Sequence, residues 1–126
     1  MRTLTTIFTI VVLLLGGSFT SYRYIQSTAQ TLGSQLATVE QSISTQVWAA
    51  AQKELNTTQQ HWDKSKPWWS ILLDHQEIDK IDISLKRLDK YIVTQNVPLS
   101  LGEVGALEQL IEHIADTEKL NLRNIL

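Results

Sequence analysis

The apolar positions of residues 25–50 recur in steps of three and four, which is the spacing of one face of an α-helix. The residues on this face are Ile25, Ala29, Leu32, Leu36, Val39, Ile43, Val47 and Ala50. Because the face is narrow and its side chains are small, it resembles a coiled-coil seam more than a deep core. We predict a long stalk helix over about 25–64, and a partly frayed stalk is the alternative.

A second apolar stripe follows Pro67, in steps of seven, three, four, three and four. We expect a helix over about 67–95, capped by Ser65 and begun by Pro67, since amides of the first turn lack intrahelical partners. Pro98 stops this pattern. The residues of the stripe are Ile71, Ile78, Ile81, Leu85, Leu88 and Ile92.

A third stripe predicts a helix over about 101–118. Ser100 and Glu103 have the spacing of a capping box, in which each side chain satisfies an orphan amide at the start of a helix. We expect the apolar tail, residues 120–126, to dock on the rest of the chain, since exposed Ile and Leu would stay unburied. The stripe consists of Val104, Leu107, Leu110, Ile111 and Ile114.

Residues 3–22 contain no charged residue. Twenty helical residues span about 30 Å, which is the thickness of the hydrocarbon core of a bilayer. Tyr22, Arg23 and Tyr24 then resemble an interfacial anchor of aromatic residues and a cation. The alternative is a cleaved signal peptide, with Arg2 as its basic region and Gly16-Gly17-Ser18 as its cleavage site. Both interpretations place the remaining chain outside the cytoplasm, with the N-terminus of a retained anchor inside.

These patterns predict an all-α protein in which an N-terminal transmembrane helix, residues 1–24, continues into a small antiparallel helical bundle, residues 25–126. An unbroken stalk would carry Trp62, Trp68 and Trp69 about 55 Å from the membrane, unless the chain folds back near residue 45. Composition then removes several function classes. The chain has no cysteine and a net charge of −2. Disulfides, thiolate sites and a nucleic-acid partner that needs a basic face are therefore not expected.

Histidines and carboxylates form the candidate chemistry. His75 and Asp79 are four residues apart and share a helix flank, while His113 lies on the last helix beside further acids. Two such helices are able to hold a metal between them, or to sense pH. The bundle pattern of a Glu three residues before each His is missing, because Leu72 and Leu110 occupy those positions. We therefore predict no metal and no cofactor. If a metal were bound, its candidate ligands would be His75, Asp79 and His113. The alternative is a ligand-, metal- or pH-responsive sensor centred on His75 and His113.

Other acidic residues are interpreted as surface. No phosphate loop, nucleophile elbow or substrate-positioning motif accompanies the carboxylates near Glu77, so we expect no enzyme. The face of alternating charge over 77–90 predicts a solvated helix surface with an Asp82–Lys86 pair. One of the paired tryptophans at 68 and 69 is expected to pack the end of the bundle, and the other to be exposed, either as a partner contact or at a tight helix junction.

Four motifs lie along the chain: W-x5-W-W from Trp62, L-L-D-H-Q-E-I-D from Leu72, a second H-I at His113 and the final L-x-L-x-N-I-L. Together they resemble an uncharacterised family of small bacterial membrane-anchored proteins, domain of unknown function 4363. The resemblance places the family signature on Trp62, Trp69, His75, Glu77, Asp79, His113 and Asn124, and it implies an envelope location without an established activity. The final Leu126 departs from the aromatic residue expected there. Our leading hypothesis is a membrane-tethered module that contacts another envelope protein, or itself through the seam of residues 25–50.

Overall fold

The structure is a computed structural model that describes the backbone of residues 1–125 and every side chain of that range except those of residues 121, 122, 124 and 125. Four α-helices account for almost all of it: α1 (Arg2–Ser44), α2 (Trp48–Leu72), α3 (His75–Val93) and α4 (Val97–Ile125). No strand occurs among the described residues. The predicted all-α class, with a long apolar first helix that leads into a bundle, is confirmed.

Short connections force the helices to run antiparallel. α1 lies beside α2 and α4, and α3 lies beside the same two helices, which gives a four-helix bundle. The predicted stripe on α1 is buried from Ile25 to Ile43, and the stripes of α3 and α4 meet it in one core. The seam of residues 25–43 is therefore covered by α2 and α4 of the same chain, so it is not a free surface for a second copy.

The long stalk over 25–64 is wrong, because the chain reverses at Thr45, Gln46 and Val47. Gln46 adopts a left-handed φ of 59°. The amides of Gln46 and Val47 donate to the carbonyls of Ile43 and Ser42 at 3.0 and 2.9 Å, the pattern of a Schellman turn that ends a helix. The left-handed position of such a turn is usually glycine. Because it is glutamine here, the sequence does not predict the turn. Folding back here leaves Val47 exposed and returns Trp68 and Trp69 towards residues 20–28.

The start of the second predicted helix is also wrong. Pro67 lies inside α2, and the Ser65 hydroxyl donates to the carbonyl of His61 instead of capping a helix. The break comes at Leu73, and Asp74 is the N-cap of α3, where its carboxylate accepts from the Gln76 amide at 3.3 Å. Neighbouring helices stabilise α2 through its buried face, which offsets the hydrogen bond that a proline removes.

The last helix begins earlier and ends later than predicted. It starts at Val97, and the Asn96 side chain accepts from the Leu99 amide at 3.0 Å. Ser100 is fully buried, and Glu103 reaches across to α3 instead of closing a capping box. Residues 120–125 of the expected tail are the helical end of α4, and Leu120 is 56% exposed. The contacts of its remaining apolar side chains lie outside the described residues.

The first half of α1 stands apart from the bundle. Residues 1–20 are all exposed, and α1 is the helix among the described residues that is long and apolar enough to cross a membrane. The most apolar part of this helix contains no buried residue. The helix continues without a break into the buried stripe that begins at Ile25, so the exposed apolar segment and the bundle are joined rigidly.

Candidate functional site

Trp62 and Trp69, the two signature tryptophans, belong to the core. Both are essentially fully buried, and their rings meet edge to face with centroids 5.3 Å apart. The Trp62 indole donates to the carboxylate of Asp82 on α3, and the Trp69 indole donates to the hydroxyl of Thr28 on α1, each at 2.8 Å. A buried indole N–H needs such a partner. These tryptophans therefore tie α2 to the helices on either side of it.

Asp82 is the centre of a polar contact between α2 and α3. Its second oxygen lies 2.6 Å from the Lys66 ammonium, while the predicted Asp82–Lys86 pair is absent among the described ion pairs. The hydrogen bond from Lys66 to this carboxylate raises the pKa of Lys66 above its ordinary value. The charged face of α3 is consequently more than a solvated surface, because Asp89 and Arg87 also bind side chains of α2 and α4.

Among the described residues, no hydrogen bond or ion pair joins His75, Asp79 and His113 to one another. His75, Asp79 and His113 are all exposed, and neither histidine ring forms a described hydrogen bond or ion pair. Within the described part of the chain, no group of three or more histidine, cysteine or acidic side chains is arranged to hold a metal ion. Asn124 lies on α4, but its side chain is outside the described residues.

Glu77 is half-buried at the junction of α3 and α4. One carboxylate oxygen lies 3.7 Å from the Lys80 ammonium, and the other is buried without a hydrogen-bond partner among the described residues. The side chain faces a cavity of about 190 Å³ that Leu73, Ile114 and Thr117 also line. This cavity lies between the second half of α4 and the α2–α3 corner, which we define as residues 68–74.

The α2–α3 corner also carries an apolar surface. Trp68, Ile71 and Leu72 are 60%, 74% and 37% exposed. They line a groove of about 480 Å³ together with Thr20, Ser21 and Tyr24 of α1. The rings of Tyr24 and Trp68 meet edge to face with centroids 6.4 Å apart. The sequence predicted one exposed tryptophan and placed Ile71 in the core, but it gave no sign that this surface adjoins the apolar half of α1.

A carboxyl pair joins α1 and α4, and no sequence motif announced it. Glu108 and Glu40 share a hydrogen bond, and burial together with this partner raises the pKa of Glu108 to about 7. One oxygen of Glu108 is buried. Glu108 borders a groove of about 470 Å³ between the two helices, which Gln26, Gln30, Glu112 and Asp116 also line. A proton shared by two carboxyls is what lets them lie together.

Comparison with protein families decides the membership of the chain. A family model matches residues 19–125, which is most of the sequence and all of the bundle. The chain belongs to the family described as Domain of unknown function (DUF4363). The DUF4363 match contains every signature residue, and it begins within α1, so that helix crosses the limit of the match without a break. Searches of curated proteins and of solved structures give no match.

Proposed function

We propose that this DUF4363 chain is a single-pass, membrane-tethered helical module that presents its bundle on the extracytoplasmic face of a cell envelope and contacts another envelope protein there. The observation that carries the proposal is the continuity of α1. One helix supplies both a fully exposed apolar segment and the buried stripe of the bundle. An apolar helix surface of this length is costly in water and favourable in lipid.

Two further features support the proposal, one for the tether and one for the protein partner. The uncharged stretch ends at Tyr22 and Arg23, a pairing of aromatic ring and cation that suits a membrane interface. The Arg23 guanidinium lies 5.8 Å from the centre of the Phe19 ring. Beyond Tyr24 the chain carries nine basic and thirteen acidic residues. This acidic balance favours a protein partner over an anionic lipid or wall polymer.

A fractionation experiment tests the tether. The full chain, expressed in a bacterial host, should stay in the membrane pellet after extraction with alkaline carbonate and should keep the mass of the uncleaved chain. A soluble product that starts near Ser18 would instead establish a cleaved signal peptide. Cross-linking in the same membranes tests the partner, because recovery of no protein neighbour counts against an interaction module.

Cysteine labelling tests the orientation, because the chain has no cysteine of its own. A Val93→Cys variant places a thiol at an exposed position of the bundle. A membrane-impermeant maleimide should label it in intact spheroplasts as fully as in lysed ones. Labelling that requires lysis would put the bundle in the cytoplasm and reverse the proposed topology.

A further inference from the structure

The α2–α3 corner lies at the end of the bundle from which the apolar half of α1 emerges. α2 runs back along α1, since Glu54 binds Ser42 near the turn and Trp69 binds Thr28 further down. Its last residues, Ile71 and Leu72, therefore reach Thr20 and Ser21. These two α1 residues belong to the uncharged stretch 3–22.

The end of α2 presents two different faces. Trp69 points inward and is fully buried, whereas Trp68 and Ile71 are 60% and 74% exposed. Together with Leu72 they form one apolar surface that is continuous with the exposed side of α1. Contiguous apolar patches of this kind mark a surface that is covered in use.

We propose that the α2–α3 corner inserts Trp68, Ile71 and Leu72 into the interface of the bilayer that α1 crosses. The inference rests on the proposed membrane tether. If residues 3–22 span the hydrocarbon core, Thr20 and Ser21 lie at its outer boundary, and the corner lies at the same depth. Tryptophan and tyrosine favour this zone because their rings are amphipathic, and Tyr22, Tyr24 and Trp68 are all there.

Polar side chains set the depth of the insertion. Asp74 and His75 follow within three residues of Leu72 and are exposed, so they keep the start of α3 among the headgroups. The insertion is therefore shallow, about 5–10 Å, as for interfacial helices. A lipid occupant fits better than a protein partner or a second copy, because the groove is shared with the last turn of the membrane segment itself.

The consequence is a bundle held at two points. A single membrane-crossing helix leaves the bundle free to tilt together with that helix, whereas a second contact at the corner restricts the tilt and keeps the corner against the membrane. The faces left for a protein partner are then those remote from the corner, including the α1–α2 and α3–α4 turns.

Three single-cysteine variants test the insertion in the full chain: Val11→Cys in the uncharged stretch, Ile71→Cys in the corner and Val93→Cys near the α3–α4 turn. All three positions are exposed. Each is labelled with an environment-sensitive fluorophore and reconstituted in phosphatidylcholine vesicles with or without brominated acyl chains. We expect bromine quenching at positions 11 and 71 and none at 93.

The outcomes separate the two proposals. An unquenched label at 11 overturns the tether, and the insertion with it. A quenched label at 11 with an unquenched label at 71 overturns the insertion alone. If the label at 71 is not quenched by bromine and is also shielded from aqueous iodide, a second copy or another chain covers the corner instead of lipid.

Intrinsic fluorescence gives an independent reading without a label. Trp68→Phe should remove most of the bromine quenching of the tryptophan emission. The matched control is Trp48→Phe, at the start of α2 and the opposite end of the bundle. This variant should leave the emission intensity that is lost to bromine unchanged. Equal quenching in wild type and Trp68→Phe would contradict the insertion.

Discussion

The Trp69 indole donates a hydrogen bond of 2.8 Å to the Thr28 hydroxyl, which joins α2 to α1 across 41 residues of sequence. That hydroxyl is itself satisfied, because it donates to the carbonyl of Tyr24 at 2.8 Å. Both partners are buried. The pair therefore fixes the end of α2 against the part of α1 that adjoins its exposed apolar half, and it determines where the α2–α3 corner lies.

Replacing Thr28 by valine should destabilise the bundle by about 1–3 kcal/mol, because it leaves the buried Trp69 N–H without an acceptor. Thr28→Ser keeps the hydroxyl and loses one methyl group, so it should cost about 1 kcal/mol or less. Thermal or denaturant unfolding of the full chain in detergent, followed by tryptophan fluorescence, measures both. Equal losses in the two variants would show that the hydrogen bond contributes nothing.

Asp82 allows a similar comparison at the other tryptophan. Asp82→Ala removes the acceptor of the buried Trp62 indole and should cost about 1–3 kcal/mol. Asp82→Asn keeps a carbonyl oxygen for the indole and loses only the partly exposed ion pair with Lys66, which is worth about 0–1 kcal/mol. Denaturant unfolding should therefore rank wild type, Asn and Ala in that order. An Asn variant as unstable as Ala would assign the stabilisation to the ion pair.

The two interhelical turns at the far end of the bundle predict a stabilising substitution. Gln46 and Gln95 have φ values of 59° and 54°, and both follow a threonine that ends a helix. Glycine adopts this conformation without the Cβ clash, so Gln46→Gly and Gln95→Gly should each stabilise the fold by about 0.5–1 kcal/mol. The control is Gln41→Gly, an exposed position inside α1, which should lose about 1 kcal/mol. A loss at all three positions would contradict the Schellman geometry.

Periodicity alone predicted much of the core, and local signals failed at the turns. The stripes from Ile25 to Ile43, Ile78 to Ile92 and Val104 to Ile114 are where the sequence put them, because a helix that buries one face must repeat its apolar residues. The reversal at Gln46 was missed, since the side chain gives no sign of the left-handed backbone. Pro67 was predicted to begin a helix but lies inside α2, because tertiary packing outweighs the cost of a proline there.

The candidate sites divide in the same way. The family resemblance singled out Trp62 and Trp69, but it gave no account of their partners, Asp82 and Thr28, which lie on other helices. The position of the exposed surface of Trp68 and Ile71 depends on where the chain folds back. Because the interhelical turn at residues 45–47 was missed, the prediction placed this surface at the end of the bundle far from the membrane instead of the end next to it. The Glu40–Glu108 pair has no local signature at all, since 68 residues separate its members.

The Glu108 carboxyl makes the stability of the bundle depend on pH. Burial and the hydrogen bond with Glu40 raise its pKa from 4.5 to about 7. Between these values the folded chain holds a proton that the unfolded chain has released, so raising the pH favours unfolding. The stabilisation from this proton is complete below about pH 4.5 and is lost as the pH rises towards 7.

Glu108→Gln should remove this contribution, because the amide can donate to Glu40 at every pH. The melting temperature of the full chain in detergent, measured from pH 4.5 to 8, should fall less steeply with rising pH in the variant than in wild type, and the two should differ most near neutral pH. The matched control is Glu112→Gln, exposed one turn further along α4, which should keep the wild-type slope. A Glu108→Gln variant that parallels wild type across the range would show that Glu108 titrates as an ordinary surface carboxylate.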